Sequence, residues 1–111
     1  MKVAYIFSTN MSHYILNNMI VPQLEKEIHG ADVVGMFFFL DNTFILVKGN
    51  DVGERLSRIA KDKGMLLMAC DKCAIERKID GDLVDGAVIG FFPDLYKALA
   101  DVGRIDQAIT L

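Results

Sequence analysis

Short apolar runs alternate along the chain with longer stretches in which apolar residues return every three or four positions, and polar clusters separate them. Val3 to Phe7 is apolar and bounded by Ser8-Thr9-Asn10, which predicts a buried strand followed by a loop. Leu16, Ile20, Leu24 and Ile28 then recur every four residues, with Ile15 and Met19 beside them. That is the stripe of an amphipathic helix, with Ser12 placed to cap it and Gly30 to end it. Pro22 falls inside the stripe and predicts a kink. Val33 to Leu40 predicts a second buried strand, in which Phe37, Phe38 and Phe39 send rings to both faces. Thr43 to Val47 fits a short helix or a strand equally well.

Asp51, with Glu54 three residues on, resembles a capping box and opens a helix whose apolar face is Val52, Leu56, Ile59 and Ala60. Gly64 closes it. Met65 to Ala69 predicts a third strand that runs directly into Cys70, and a short helix spans Asp71 to Lys78. Ala87 to Ile89 predicts a fourth strand. Pro93 and Asp94 suit a first helical turn, with Leu95, Ala98, Leu99 and Val102 as the inner face and Gly103 as the stop. Asp106 to Leu111 alternates as an edge strand.

The order β-α-β-α-β-α-β-α-β, with short connections, predicts one α/β domain over residues 1–111. Its sheet is mainly parallel, with helices on both faces and right-handed crossovers. A hydrophobic content of 52% supports a sheet buried on both sides, with material left for a subunit interface. Ligands and chemistry in such sheets gather at the carboxyl ends of the strands. Three loops meet there: Ser8 to His13, Asp41 to Thr43, and Cys70 to Cys73.

Charge narrows the partners. Twelve basic and 15 acidic residues give a net charge of −3 with no basic stripe, so no nucleic-acid partner is expected. No polybasic cluster marks a membrane surface. The most apolar stretch, Val33 to Val47, is broken by Asp41, Asn42 and Thr43 and falls short of the ~20 apolar residues that span a bilayer. Met1 to Phe7 lacks the pattern of a signal peptide. The expected location is the cytoplasm, where two cysteines are catalytic, metal-binding or inert rather than a disulfide framework.

Cys70-Asp71-Lys72-Cys73 places one sulfur at a strand end and the other in the first turn of a helix. Free N–H groups and the positive helix end favour a thiolate there; Lys72 adds to this and Asp71 opposes it. Thiolate is the form that attacks, and the two-residue spacer lets the second sulfur reach the first. The plainer alternative is a pair of small buried hydrophobes, and burial of Cys70 in apolar surroundings would raise its pKa and work against a carrier. A structural zinc needs four ligands, and only His13 and the distant His29 remain as soft candidates, so no metal site is expected.

Neighbouring residues carry two readings each. His13 is placed to give Cys70 a proton or hydrogen bond, or lies exposed at a helix start. Ser8, Thr9 and Asn10 suit either an anion pocket or ordinary capping, and Asp41 shares their edge. Arg77 and Lys78 either attract an anionic donor or form a solvated face. Phe91 and Phe92 are hard to hide and suit a subunit contact.

The chain resembles the DsrE family of sulfur-relay proteins, the DsrE/DsrF/DsrH and TusD/TusC/TusB group, nearly end to end. The likeness rests on the opening strand and polar loop, Phe37-Phe38-Phe39-Leu40-Asp41-Asn42-Thr43 with Val47-Lys48-Gly49, the block from Gly64 to Cys73, Asp94 to Leu99 and the closing strand. The resemblance implies a three-layer α/β/α fold with a five-stranded parallel sheet, and homo- or hetero-oligomers. It implies a persulfide on Cys70, with Cys73 as the second cysteine that some relatives carry. It needs no cofactor, and the partner is a sulfur donor or acceptor protein or a small sulfane-sulfur compound. Two departures stand out: Lys78 and Asn42 occupy positions where the family often has glycine.

Overall fold

The structure, a computed structural model, describes residues 1–111. Its strands are β1 (Lys2–Phe7), β2 (Asp32–Phe38), β3 (Leu66–Cys70), β4 (Ala87–Gly90) and β5 (Gln107–Thr110). The helices are α1 (Ser12–Ile15), α2 (Val21–Glu25), α3 (Asp51–Lys63), α4 (Asp71–Glu76) and α5 (Phe92–Val102). A π-helical turn (Leu16–Ile20) joins α1 to α2, and a 3-10 segment (Leu40–Leu46) follows β2. The sheet order is β4-β3-β2-β1-β5, and every pairing is parallel. The expected α/β fold and five-stranded parallel sheet are therefore what forms.

Alternation along the strands divides the core in two. Val3, Tyr5, Phe7, Met36, Phe38, Leu67 and Ala69 point to one face, where Leu16, Ile20, Leu24 and Leu56 cover them in a core of 21 buried residues. Phe37 and Met68 point to the other and meet Leu95 of α5, with Leu66, Phe39, Cys70, Ala98 and Leu99 around them. One helix alone therefore covers the second face, and Cys70 belongs to that thin side.

Five local expectations are corrected. Pro22 does not simply kink its helix. It has no N–H to offer, and the chain takes the π turn just before it. The extra residue shifts the helical phase, so Leu16, Ile20, Val21 and Leu24 are buried while Met19 points to solvent. The helix also ends at Glu25 rather than near Gly30. Glu27 takes the left-handed conformation with φ 58°, the Ile28 N–H reaches the Gln23 carbonyl, and Ile28 is left exposed.

Ser12 does not cap α1. It is fully buried and its hydroxyl donates to the Leu111 carbonyl at 3.3 Å. Asn50, not Asp51, caps α3: its Oδ1 accepts from the Gly53 N–H at 3.2 Å, and Glu54 accepts from the Gly49 N–H at 2.8 Å. The second strand stops at Phe38, and the ambiguous Thr43–Val47 region is mostly 3-10 helix because Leu40 turns left-handed (φ 54°).

Candidate functional site

β3 delivers Cys70 to the carboxyl edge of the sheet, where the backbone leaves the strand and α4 begins. The Cys70 Sγ caps this helix by accepting the Cys73 N–H at 3.4 Å. Cys70 is half-buried, Cys73 is buried, and both are free thiols. Gly90 pairs with Cys70 across β3 and β4. A Cβ at position 90 would come within 2.9 Å of the Met68 Sδ, so glycine there leaves room for a thioether beside the Cys70 strand end.

The sequence favours a thiolate at Cys70; the structure shifts it the other way. Burial pushes the thiol above its ordinary pKa, and a hydrogen bond with the Cys73 thiol adds to this. The Cys73 N–H opposes the shift, and the charges of Cys73 and Asp71 reinforce it. The helix is only six residues long, so its positive end offers little compensation. Lys72 is exposed, and its backbone N–H is held by the Asp71 carboxylate at 2.6 Å.

α4 is fixed at its other end. Arg77 stands four residues after Cys73, and its Nη1 donates to the Cys73 carbonyl at 3.2 Å while its Nε donates to Asp41 at 2.9 Å. Asp41 thus enters the site indirectly, by tying the 3-10 segment to α4. Lys78 adopts φ 58° and closes α4, with its own N–H on the Ile75 carbonyl and that of Ile79 on the Ala74 carbonyl. This is a conformation that glycine takes more easily.

The remaining candidates lie two strands away. Ser8 spends its hydroxyl and its N–H on the Leu111 carbonyl, at 3.3 and 2.6 Å. Asn10 is exposed and lines, with Ser8, Thr9, Leu40, Asp41 and Asn42, an open cleft of about 170 Å³. Cys70 does not line that cleft. His13 is exposed and makes no hydrogen bond to Cys70. Asp41 alone connects the cleft to α4. Sequence reasoning passes over the Thr43 hydroxyl, buried on the Leu40 carbonyl at 2.7 Å, and the Tyr5–His29–Gln23 chain, in which both His29 ring nitrogens are engaged at 2.8 Å. No group of three His, Cys, Asp or Glu side chains is placed to hold a metal, and no helix is long and apolar enough to cross a membrane.

The architecture is shared with solved structures. The chain resembles the ychN protein of E. coli over 99% of its own length and 97% of the other, with 18% identity and a TM-score of 0.70. It also resembles BT1422, a conserved protein of unknown function from Bacteroides thetaiotaomicron, at 11% identity and TM-score 0.69, covering 99% and 94% of the two chains. MTH1491 of Methanobacterium thermoautotrophicum, also of unknown function, matches at 14% identity and TM-score 0.63, covering 96% of each. No family model matches the sequence, and no curated protein does. These likenesses define a ychN-like α/β fold, and this chain carries a cysteine pair at the edge of that sheet.

Proposed function

We propose that the chain is a cytoplasmic sulfane-sulfur carrier of the DsrE group, with Cys70 as the acceptor. The observation that carries this reading is the half-buried Cys70 Sγ at the sheet's carboxyl edge, capped by the Cys73 N–H with a second thiol beside it. The Cys70 sulfur attacks the sulfane sulfur of a persulfide donor. One S–S bond forms on Cys70 as the donor's S–S bond breaks, and the proton ends on the departing thiol. Attack by Cys73 on the loaded Cys70 sulfur would discharge it, giving a Cys70–Cys73 disulfide and hydrogen sulfide.

Intact-protein mass spectrometry after incubation with polysulfide or thiosulfate tests the proposal. Wild type is expected to gain the mass of one sulfur, removable by reductant. Cys70→Ser is expected to gain none, and Cys73→Ala to hold its sulfur longer. Because the Cys70 thiol is pushed up, loading is expected to accelerate as pH rises through and above the ordinary thiol range, and Asp71→Asn to move that profile to lower pH. A wild type that takes no sulfur from either donor would sink the reading. A second reading, a thiol redox pair, is favoured by the second free thiol one helical turn from Cys70, that of Cys73, whose backbone N–H already holds the Cys70 Sγ. In it an external disulfide oxidises both thiols to one intramolecular bond and leaves as two thiols, and Cys73→Ala abolishes the response.

The thin face of the sheet supports self-association. Phe92 and Tyr96 stack at 6.0 Å yet stay 49% and 64% exposed, and the β4 edge shows Val88 and Ile89 to solvent. Sedimentation is expected to give species above the 12.4 kDa chain mass, reduced by the double change Phe92→Ser, Tyr96→Ser. Monomers at every concentration would end this part of the proposal.

A further inference from the structure

No third His, Cys, Asp or Glu of the chain joins the two cysteines, which leaves them short of the four ligands that structural zinc takes. What the fold assembles instead is soft sulfur. The Cys73 N–H donates to the Cys70 Sγ at 3.4 Å and holds that sulfur over the turn that carries Cys73. The Met68 thioether belongs to the same apolar cluster that Cys70 packs against, and Gly90 makes space for it. Arg77, anchored on Asp41 at 2.9 Å and on the Cys73 carbonyl at 3.2 Å, keeps α4 from drifting away from the strand end. Two thiolates in a half-buried apolar setting lack the oxygen donors that hard cations need and the ligand count that divalent tetrahedral ions need. They suit a soft monovalent ion that accepts two sulfur ligands.

We propose that Cys70 and Cys73 chelate one cuprous ion. Two Cu–S bonds form as two thiol protons leave, so the site passes from neutral to a charge of −1. Lys72, exposed between the two cysteines, is the nearest cation in sequence to balance it. Because both protons must be displaced, affinity falls steeply with acid. This use of the pair is independent of sulfur transfer and excludes it while the ion is bound, since both functions need the Cys70 sulfur.

The test is an anaerobic titration of the reduced full chain with Cu(I) against bicinchoninate as a coloured competitor. One Cu(I) per chain is expected, undisturbed by an equal concentration of Zn(II). Outer partners of metal sites are worth roughly 10–100-fold in affinity, so Cys70→Ser and Cys73→Ser are each expected to lose more than about 100-fold. Wild type alkylated with iodoacetamide supplies an unmutated control, expected not to bind. Wild-type affinity in either serine variant, retention by the alkylated protein, or displacement by Zn(II) would each overturn the proposal. Sulfur loading is read separately by mass, so a chain that binds Cu(I) but takes no sulfur refutes only the carrier reading.

Discussion

Gly53→Ala is expected to destabilise the domain by more than about 3 kcal/mol, at or beyond the upper end for overpacked sites. Helix propensity alone predicts the opposite sign, since alanine inside a helix is favoured over glycine by about 1 kcal/mol. The contradiction comes from what α3 packs against. A Cβ at position 53 would collide with the Ile45 carbonyl oxygen and lie 3.2 Å from its carbon and 3.3 Å from the Leu46 Cα. These are backbone atoms, so no side-chain rotation relieves the clash. The Leu46 carbonyl is itself held by the Val84 N–H at 2.8 Å, and the Leu46 side chain is fully buried. Either α3 or the 3-10 segment must move. Urea denaturation reads the loss as a lower midpoint with an unchanged slope. The same segment carries Asp41, the anchor of Arg77, so Cys70 alkylation in the variant is expected to change as well. Stability equal to or above wild type would show that the close approach of α3 to this segment is wrong.

The strands and the position of Cys70 are legible in the sequence because their signals are local. Val3–Phe7, Val33–Leu40 and Met65–Ala69 are apolar runs closed by polar or helix-starting residues, although the second strand ends two residues early at Phe38, and parallel order follows from the alternation with helices. What escapes depends on residues far apart. Ser12 looks like a cap until the Leu111 carbonyl, 99 positions away, is seen to claim its hydroxyl. Arg77 looks like a solvated cation until Asp41, 36 positions away, is seen beside it. The Cys70 pKa has the wrong sign in a one-dimensional reading, because helix position and the charge of Lys72 are visible there but burial is not. The phase shift at Met19 hides for a different reason: one residue added by a π turn leaves the four-residue spacing of the sequence unchanged while altering which residues face the core.

Phe38→Ala is expected to cost about 3–5 kcal/mol, a large part of the roughly 5–15 kcal/mol that holds a domain together. Phe38 is fully buried at the end of β2 and stacks on the equally buried Phe7 of β1 with ring centroids 5.0 Å apart. Phe7 in turn stacks on Tyr5 at 5.9 Å, so the ring belongs to a line of aromatics that fills the larger core. Truncation leaves a cavity that the flanking strands, locked in parallel register, cannot close. Phe7→Leu and Phe38→Leu, made singly and together, are expected to show a coupling of about 0.5–1.5 kcal/mol from the stacked rings. Phe91→Ala serves as the contrast: that ring is exposed, and its loss is expected to shift stability by no more than about 0.5 kcal/mol. The consequence reaches the candidate site, because Phe38 pairs in register with Ala69, the residue before Cys70. A loosened β2–β3 end exposes Cys70, lowers its raised pKa and speeds its alkylation. A Phe38→Ala protein with wild-type stability and wild-type thiol reactivity would show that the aromatic core does not hold the cysteine where the fold presents it.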